Sequence, residues 1–218
     1  LVISNQLSGE AKQGVKARIM KFARSKMAVL AIVASAVPSL ADNQEPPSVR
    51  NCTWCHGSSG QGYATAPSLA GQRAQYTEKQ LLEFREQERN SPSSKQMWGP
   101  ATNLSPAMAR DLAIYFSTLA PKAANDGQRD LVAAGRTLYE NGNPASNIVS
   151  CGVCHGPKAE GINEIPRLAG LSYYYLKRRL EEWSERREAS AEAPMPQIAA
   201  SLPPNTIDAL ASYLSFVK

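Results

Sequence analysis

Histidine is almost missing from this 218-residue chain, which has two, and cysteine is scarce at four. Any chemistry that needs a spare imidazole or thiol away from those six positions is excluded. No apolar run reaches the roughly 20 residues that span a bilayer; the stretch from Met27 to Val37 is about 11 long. No segment shows sustained apolar–polar alternation, which argues against strands and for an all-α chain. An excess of basic charge is missing from most of the sequence too. The formal +5 belongs to residues 1–41, where Lys12, Lys16, Arg18, Lys21, Arg24 and Lys26 face only Glu10. The remaining 18 basic and 18 acidic residues cancel, so no basic domain exists to bind nucleic acid.

What is present is one short motif, twice. Cys52-Thr53-Trp54-Cys55-His56-Gly57 and Cys151-Gly152-Val153-Cys154-His155-Gly156 both read C-x-x-C-H-G. They use every cysteine and both histidines of the chain. C-x-x-C-H is the attachment site of a c-type haem. Two thiols three residues apart reach the two vinyl groups of one porphyrin, and the following imidazole, of His56 or His155, supplies the proximal iron ligand. A redox dithiol would leave each histidine unexplained. A single zinc built from both motifs would have more ligands than zinc's four positions take. Two covalent haems c are the reading.

The repeat extends beyond the motif. A shift of 99 residues carries Cys52 to Cys151 and also pairs Pro67 with Pro166, Leu69 with Leu168, Gly71 with Gly170, Tyr76 with Tyr175 and Leu81 with Leu180. A shift of 98 then pairs Met97 with Met195, Leu112 with Leu210 and Tyr115 with Tyr213. Two homologous units in tandem account for this. The register singles out Met97 and Met195 as sixth iron ligands, with ordinary core packing the other reading of a methionine at a helix start. Met108 pairs with Thr206 and is read as a core residue.

The doubled motif, the segments Pro67-Ser68-Leu69-Ala70-Gly71 and Pro166-Arg167-Leu168-Ala169-Gly170, the trailing methionines and the closing helices resemble the di-haem cytochrome c4 family. The resemblance covers nearly everything after residue 41. It implies two tandem cytochrome c-like domains, each wrapped around one covalently bound haem c. It also implies that the carbonyls of Pro67 and Pro166, each 11 residues after its histidine, accept a hydrogen bond from the ligand imidazole; a simple turn proline is the alternative. A close crossing of Gly135 with the closing helix near Tyr213 is implied in the same way.

In chain order, residues 1–41 are read as an N-terminal extension and a secretory signal. Lys21, Arg24 and Lys26 precede the apolar run, and Ser39-Leu40-Ala41 supplies small residues for cleavage; an uncleaved anchor is the rival. Residues 42–121 and 122–218 are the two cytochrome domains. Pro46-Pro47 leaves little room for a helix before the first motif. Helices are expected over Ala74–Arg89 and Ser172–Ala189, their charged residues on solvated faces, with a docking role for basic residues near Lys177 the sharper alternative. Asn90–Pro100 and Ala191–Pro196 are expected to be loops that deliver Met97 and Met195. Ser105-Pro106 is an N-cap and N1 pair. The linker Pro121–Gly127 is short, and Asp126 is placed as the N-cap of a helix running to Glu140.

Iron with both axial positions filled passes electrons without binding small molecules. The expected function is therefore an electron carrier with no catalytic residues and no small-molecule substrate. The family resemblance adds a periplasmic location, redox protein partners on the path from a quinol–cytochrome c reductase to a terminal oxidase, and room for loose membrane association. Two other classes stand beside it. One is a fixed electron-transfer subunit of a larger dehydrogenase, such as a sulfide-oxidising flavocytochrome. The other is a di-haem oxidoreductase, which needs one open iron.

Overall fold

The structure, a computed structural model, describes residues 49–185 and 194–218. The proposed signal segment, Pro46-Pro47, and Arg186 to Ala193 lie outside the described residues. Among the described residues the fold is all-helical, with two isolated β-bridges, Asn143 to Ile148 and Ile162 to Ile165. The elements are α1 (Val49–His56), α2 (Ala74–Arg85), α3 (Trp98–Ala101), α4 (Pro106–Thr118), α5 (Val132–Asn141), α6 (Gly152–His155), α7 (Tyr173–Ser184), α8 (Met195–Ala199) and α9 (Pro204–Phe216). Short 3₁₀ turns precede α3 and α5 and follow α5.

Each half closes the same way. In the first, α4 lies on α2, and Val49, Leu112 and Phe116 are buried together with Leu69, Leu81 and Leu104 against them. In the second, α9 packs on α5 and α7, burying Tyr139, Leu176, Leu180, Ile207, Leu210 and Leu214. The apolar residues on α4 and α9 recur at helical spacing, so one stripe of each faces inward. Ser105 Oγ accepts from Met108 N–H at 3.2 Å with Pro106 at N1, the capping arrangement legible in the sequence.

The second closure needs a glycine. A Cβ on Gly135 would meet the Ala209 carbonyl and the Tyr213 Cβ, the latter at 2.7 Å, so α5 and α9 touch backbone to backbone there. Gly135→Ala is expected to cost about 1–3 kcal/mol by forcing the helices apart. Gly99→Ala, where a Cβ meets nothing within 4 Å, should be neutral or gain up to about 1 kcal/mol of helix propensity. Denaturant midpoints of the two variants test the contrast.

Four expectations need correction. Helix α2 stops at Arg85, four residues early, because Gln87 takes a positive φ of 60° and Arg89 N–H turns back to Glu83 O. The methionines themselves do not lie in loops: Met97 ends a 3₁₀ turn, Ser94–Met97, and Met195 opens α8. Met108 is 39 % exposed and no part of the core. Asp126 does not cap the helix that follows it. Its carboxylate accepts from Tyr173 N–H at 2.8 Å and Ser172 Oγ at 2.7 Å, so it caps α7. The linker is correspondingly pinned: Gly127 N–H donates to Ser215 Oγ and Gln128 N–H to Ser212 Oγ, both at 3.1 Å.

Candidate haem sites

Each C-x-x-C-H sits on a short helix that enters a loop built on one plan. His56 is the last residue of α1 and His155 the last of α6; both are 5 % exposed. Gly62 N–H donates to His56 O, and Gly161 N–H to His155 O, each at 2.8 Å. The carbonyl of Gly60 takes Leu69 and Ala70, as that of Ala159 takes Leu168 and Ala169. Gly62 and Gly161 have φ of +73° and +67°, and a Cβ on either would strike loop backbone at about 2.5 Å. The repeat in the sequence is thus a repeat in hydrogen bonds.

The loop ends on the proline. His56 Nδ1 lies 2.8 Å from Pro67 O, and His155 Nδ1 lies 3.0 Å from Pro166 O. A carbonyl only accepts, so Nδ1 carries the proton and Nε2 keeps its lone pair for a metal. Burial holds both imidazoles below the ordinary histidine range, and the proline bonds offset part of that. Both rings are held in the orientation that keeps Nε2 off the proline bond.

The cysteines fit thioether attachment. Cys52 and Cys151 are half-buried and Cys55 and Cys154 exposed, three residues apart on one helical turn. Burial raises the Cys52 thiol and pushes Cys151 up to about 11, the reverse of what a reactive thiolate needs. Among the described residues no three His, Cys, Asp or Glu side chains are grouped to hold a metal ion, so the zinc reading has no donor set. The donors present, one imidazole, one thiol pair and one thioether per half, fit haem c.

Met97 and Met195 are both half-buried, and Met195 packs against the core of the second half. Three contacts that support these sites were not anticipated. Tyr139, fully buried, donates its hydroxyl to Gly156 O at 2.6 Å, directly behind the second motif. Trp98 Nε1 donates to Arg89 O at 3.0 Å and ties down the turn that carries Met97. The third is a polar seam between the halves, buried around Arg179 and Glu182. Arg73 donates to the carbonyls of Glu160 and Gly161, Gln72 exchanges two bonds with the backbone of Arg167, and Arg178 donates to Thr65 O at 2.7 Å. Arg179 and Glu182, 4 % and 3 % exposed, form an ion pair of 2.9 Å within it. The charged face of α7 is therefore not simply solvated, and Arg178 and Arg179 face the other half of the chain. Lys177 pairs with Asp208 and Glu181.

The cytochrome c family profile matches residues 42–120 and 132–218. A cytochrome c4 from Thiocapsa roseopersicina is 32 % identical over 187 residues, covering 83 % of this chain and 95 % of its own length. The solved cytochrome c4 of Acidithiobacillus ferrooxidans superposes with a TM-score of 0.71 at 30 % identity, over 76 % of this chain and 98 % of that one. A thiosulfate dehydrogenase electron acceptor from Stutzerimonas stutzeri strain A1501 is 31 % identical over 209 residues, covering 87 % of this chain and 92 % of its own.

Proposed function

This chain belongs to the di-haem cytochromes c4, electron carriers with two covalently bound haems c, and from that premise we propose the residues that hold each haem and the route its electrons take. Cys52 and Cys55 bind the first porphyrin in a domain spanning 42–121, with His56 and Met97 on its iron. Cys151 and Cys154 bind the second in a domain spanning 122–218, with His155 and Met195 on its iron. The observation that carries this assignment is the pair of Nδ1–proline bonds, which leaves Nε2 of each imidazole as its only free donor. Each bound haem supplies a ferric–ferrous couple. The protein's part is to fill both axial positions, keep water from the iron and hold the ligands nearly still as charge changes.

The carrier works between protein partners in the periplasm, exported by the leader in residues 1–41, and delivers electrons towards a terminal oxidase. Among the described residues no helix is long and apolar enough to cross a membrane. A second reading makes a dehydrogenase the donor; it is favoured by the similarity to a thiosulfate dehydrogenase electron acceptor. The test is a redox titration of the purified holoprotein followed optically. Two high-potential steps, a near-infrared Met–ferric band from each haem and no response to carbon monoxide are expected. A high-spin haem that binds carbon monoxide would overturn one methionine assignment. Stopped-flow reduction by a thiosulfate dehydrogenase, against reduction by a quinol–cytochrome c reductase, separates the two donors.

A further inference from the structure

The turn that presents Met97 is capped by the other domain. Residues Ser94–Met97 form a 3₁₀ turn that starts with Ser94 N–H and Lys95 N–H on Ser91 O, at 2.9 and 3.2 Å. No side chain of the turn caps it. Instead Glu182, on α7 of the second domain, reaches its start. One carboxylate oxygen accepts from Ser93 N–H at 2.9 Å. The other takes the hydroxyls of Ser93 at 2.7 Å and Ser91 at 3.0 Å. Arg179 braces the same oxygen at 2.9 Å and donates to Ser91 Oγ at 2.8 Å. Ser91 and Ser94 are 0 and 4 % exposed, so their bonds are shielded from water, while Ser93 is half-buried. Arg89 closes the cluster, donating to Ser94 Oγ at 3.3 Å.

Among the described residues no side chain caps the start of the helix that Met195 opens: it begins at Pro194, and Pro196 stands where the first domain has Trp98. Among the described residues Met195 packs on its own domain's core, whereas the turn that carries Met97 is met at its start by a carboxylate from across the seam.

We propose that Glu182 is a positioning residue for Met97: by capping the Ser94–Met97 turn from the second domain it keeps the thioether of the first domain on its iron. The inference rests on the assignment of Met97 as a ligand. A cap that loses its acceptor leaves the Ser93 N–H and hydroxyl without that partner, while Ser91 keeps only Ser94 Oγ, at 2.6 Å, and Arg179. The turn then opens more often and the iron is exposed for a larger fraction of the time. External ligand affinity rises in proportion to that open fraction.

The experiment titrates ferric holoprotein with imidazole and follows the near-infrared Met–ferric band, in wild type, Met97→Ala, Glu182→Ala and the double variant Ser91→Ala/Ser93→Ala. The double variant keeps the Arg179–Glu182 pair and removes only two hydroxyls, so it reports even if Glu182→Ala folds poorly. Met97→Ala identifies which share of the band belongs to the first haem. Glu182→Ala is expected to tighten imidazole binding at the first haem about tenfold and the double variant several-fold, with the second haem unmoved. Loosening of both haems alike would mean general destabilisation and would overturn the proposal. So would unchanged affinity in Glu182→Ala and the double variant. If Met97→Ala removes no band, the ligand assignment itself fails, a result distinct from either.

Discussion

A Met195→Ala holoprotein is expected to lose one of its two near-infrared Met–ferric bands, bind carbon monoxide at one haem and titrate with one step lowered by roughly 0.1–0.2 V. The range of potentials set by axial ligands is about 0.8 V, and a thioether lies on its high side because soft sulfur favours ferrous iron. Alanine supplies no donor, and water or a weak ligand fills the position. The structure argues for a local effect. Met195 packs against the buried core of the second half, and that core is closed by α5 on α9, which the methionine does not join. The far-ultraviolet circular dichroism should therefore change little while the redox titration splits. Two unchanged high-potential steps would show that another group ligates the second iron.

The other large effect is on stability. Arg179→Ala is expected to cost about 3–5 kcal/mol, because it strands the Glu182 carboxylate in the buried seam between the domains. Replacing both partners together, as Arg179→Met with Glu182→Leu, should recover most of that loss, since neither charge is then left desolvated and alone. Urea midpoints at constant slope measure both. Acid separates the variants further. Burial alone would raise the Glu182 carboxyl, but the Ser93 hydroxyl and N–H, the Ser91 hydroxyl and Arg179 outweigh it and hold it below the usual glutamate value. A carboxyl lowered in the folded state adds stability that is complete above its unfolded value and disappears as pH falls through the folded one. Wild type should thus lose stability more steeply than the double replacement as pH falls below the usual glutamate value. Parallel pH profiles would remove Glu182 from the account of acid sensitivity.

The same pair shows where sequence reading stopped. On a helical wheel Arg179 and Glu182 lie off the Leu176–Leu180 stripe and look solvated. They are among the most buried charges described, because the face they occupy meets Ser91, Ser93 and Ser94 of the other domain. Asp126 was misplaced for a related reason. A carboxylate caps whichever helix start the fold brings within about 3 Å, and here that is Tyr173, 47 residues on. Met108 failed differently. The repeat pairs it with buried Thr206, but the two domains do not treat that position alike.

Local chemistry was legible because it is written in fixed spacing. The two C-x-x-C-H motifs and the Ser105-Pro106 helix start follow from bonds that need given residue types at a fixed distance along the chain; the proline carbonyls and the glycine where α5 meets α9 were expected from the family resemblance, and the structure has both. The tandem repeat carried the two-domain, all-helical architecture with them. Only the tertiary structure decided how the domains use their charged faces. Periodicity reports that a face is polar; whether water or another domain satisfies it depends on which surfaces meet, and no spacing within one helix encodes that.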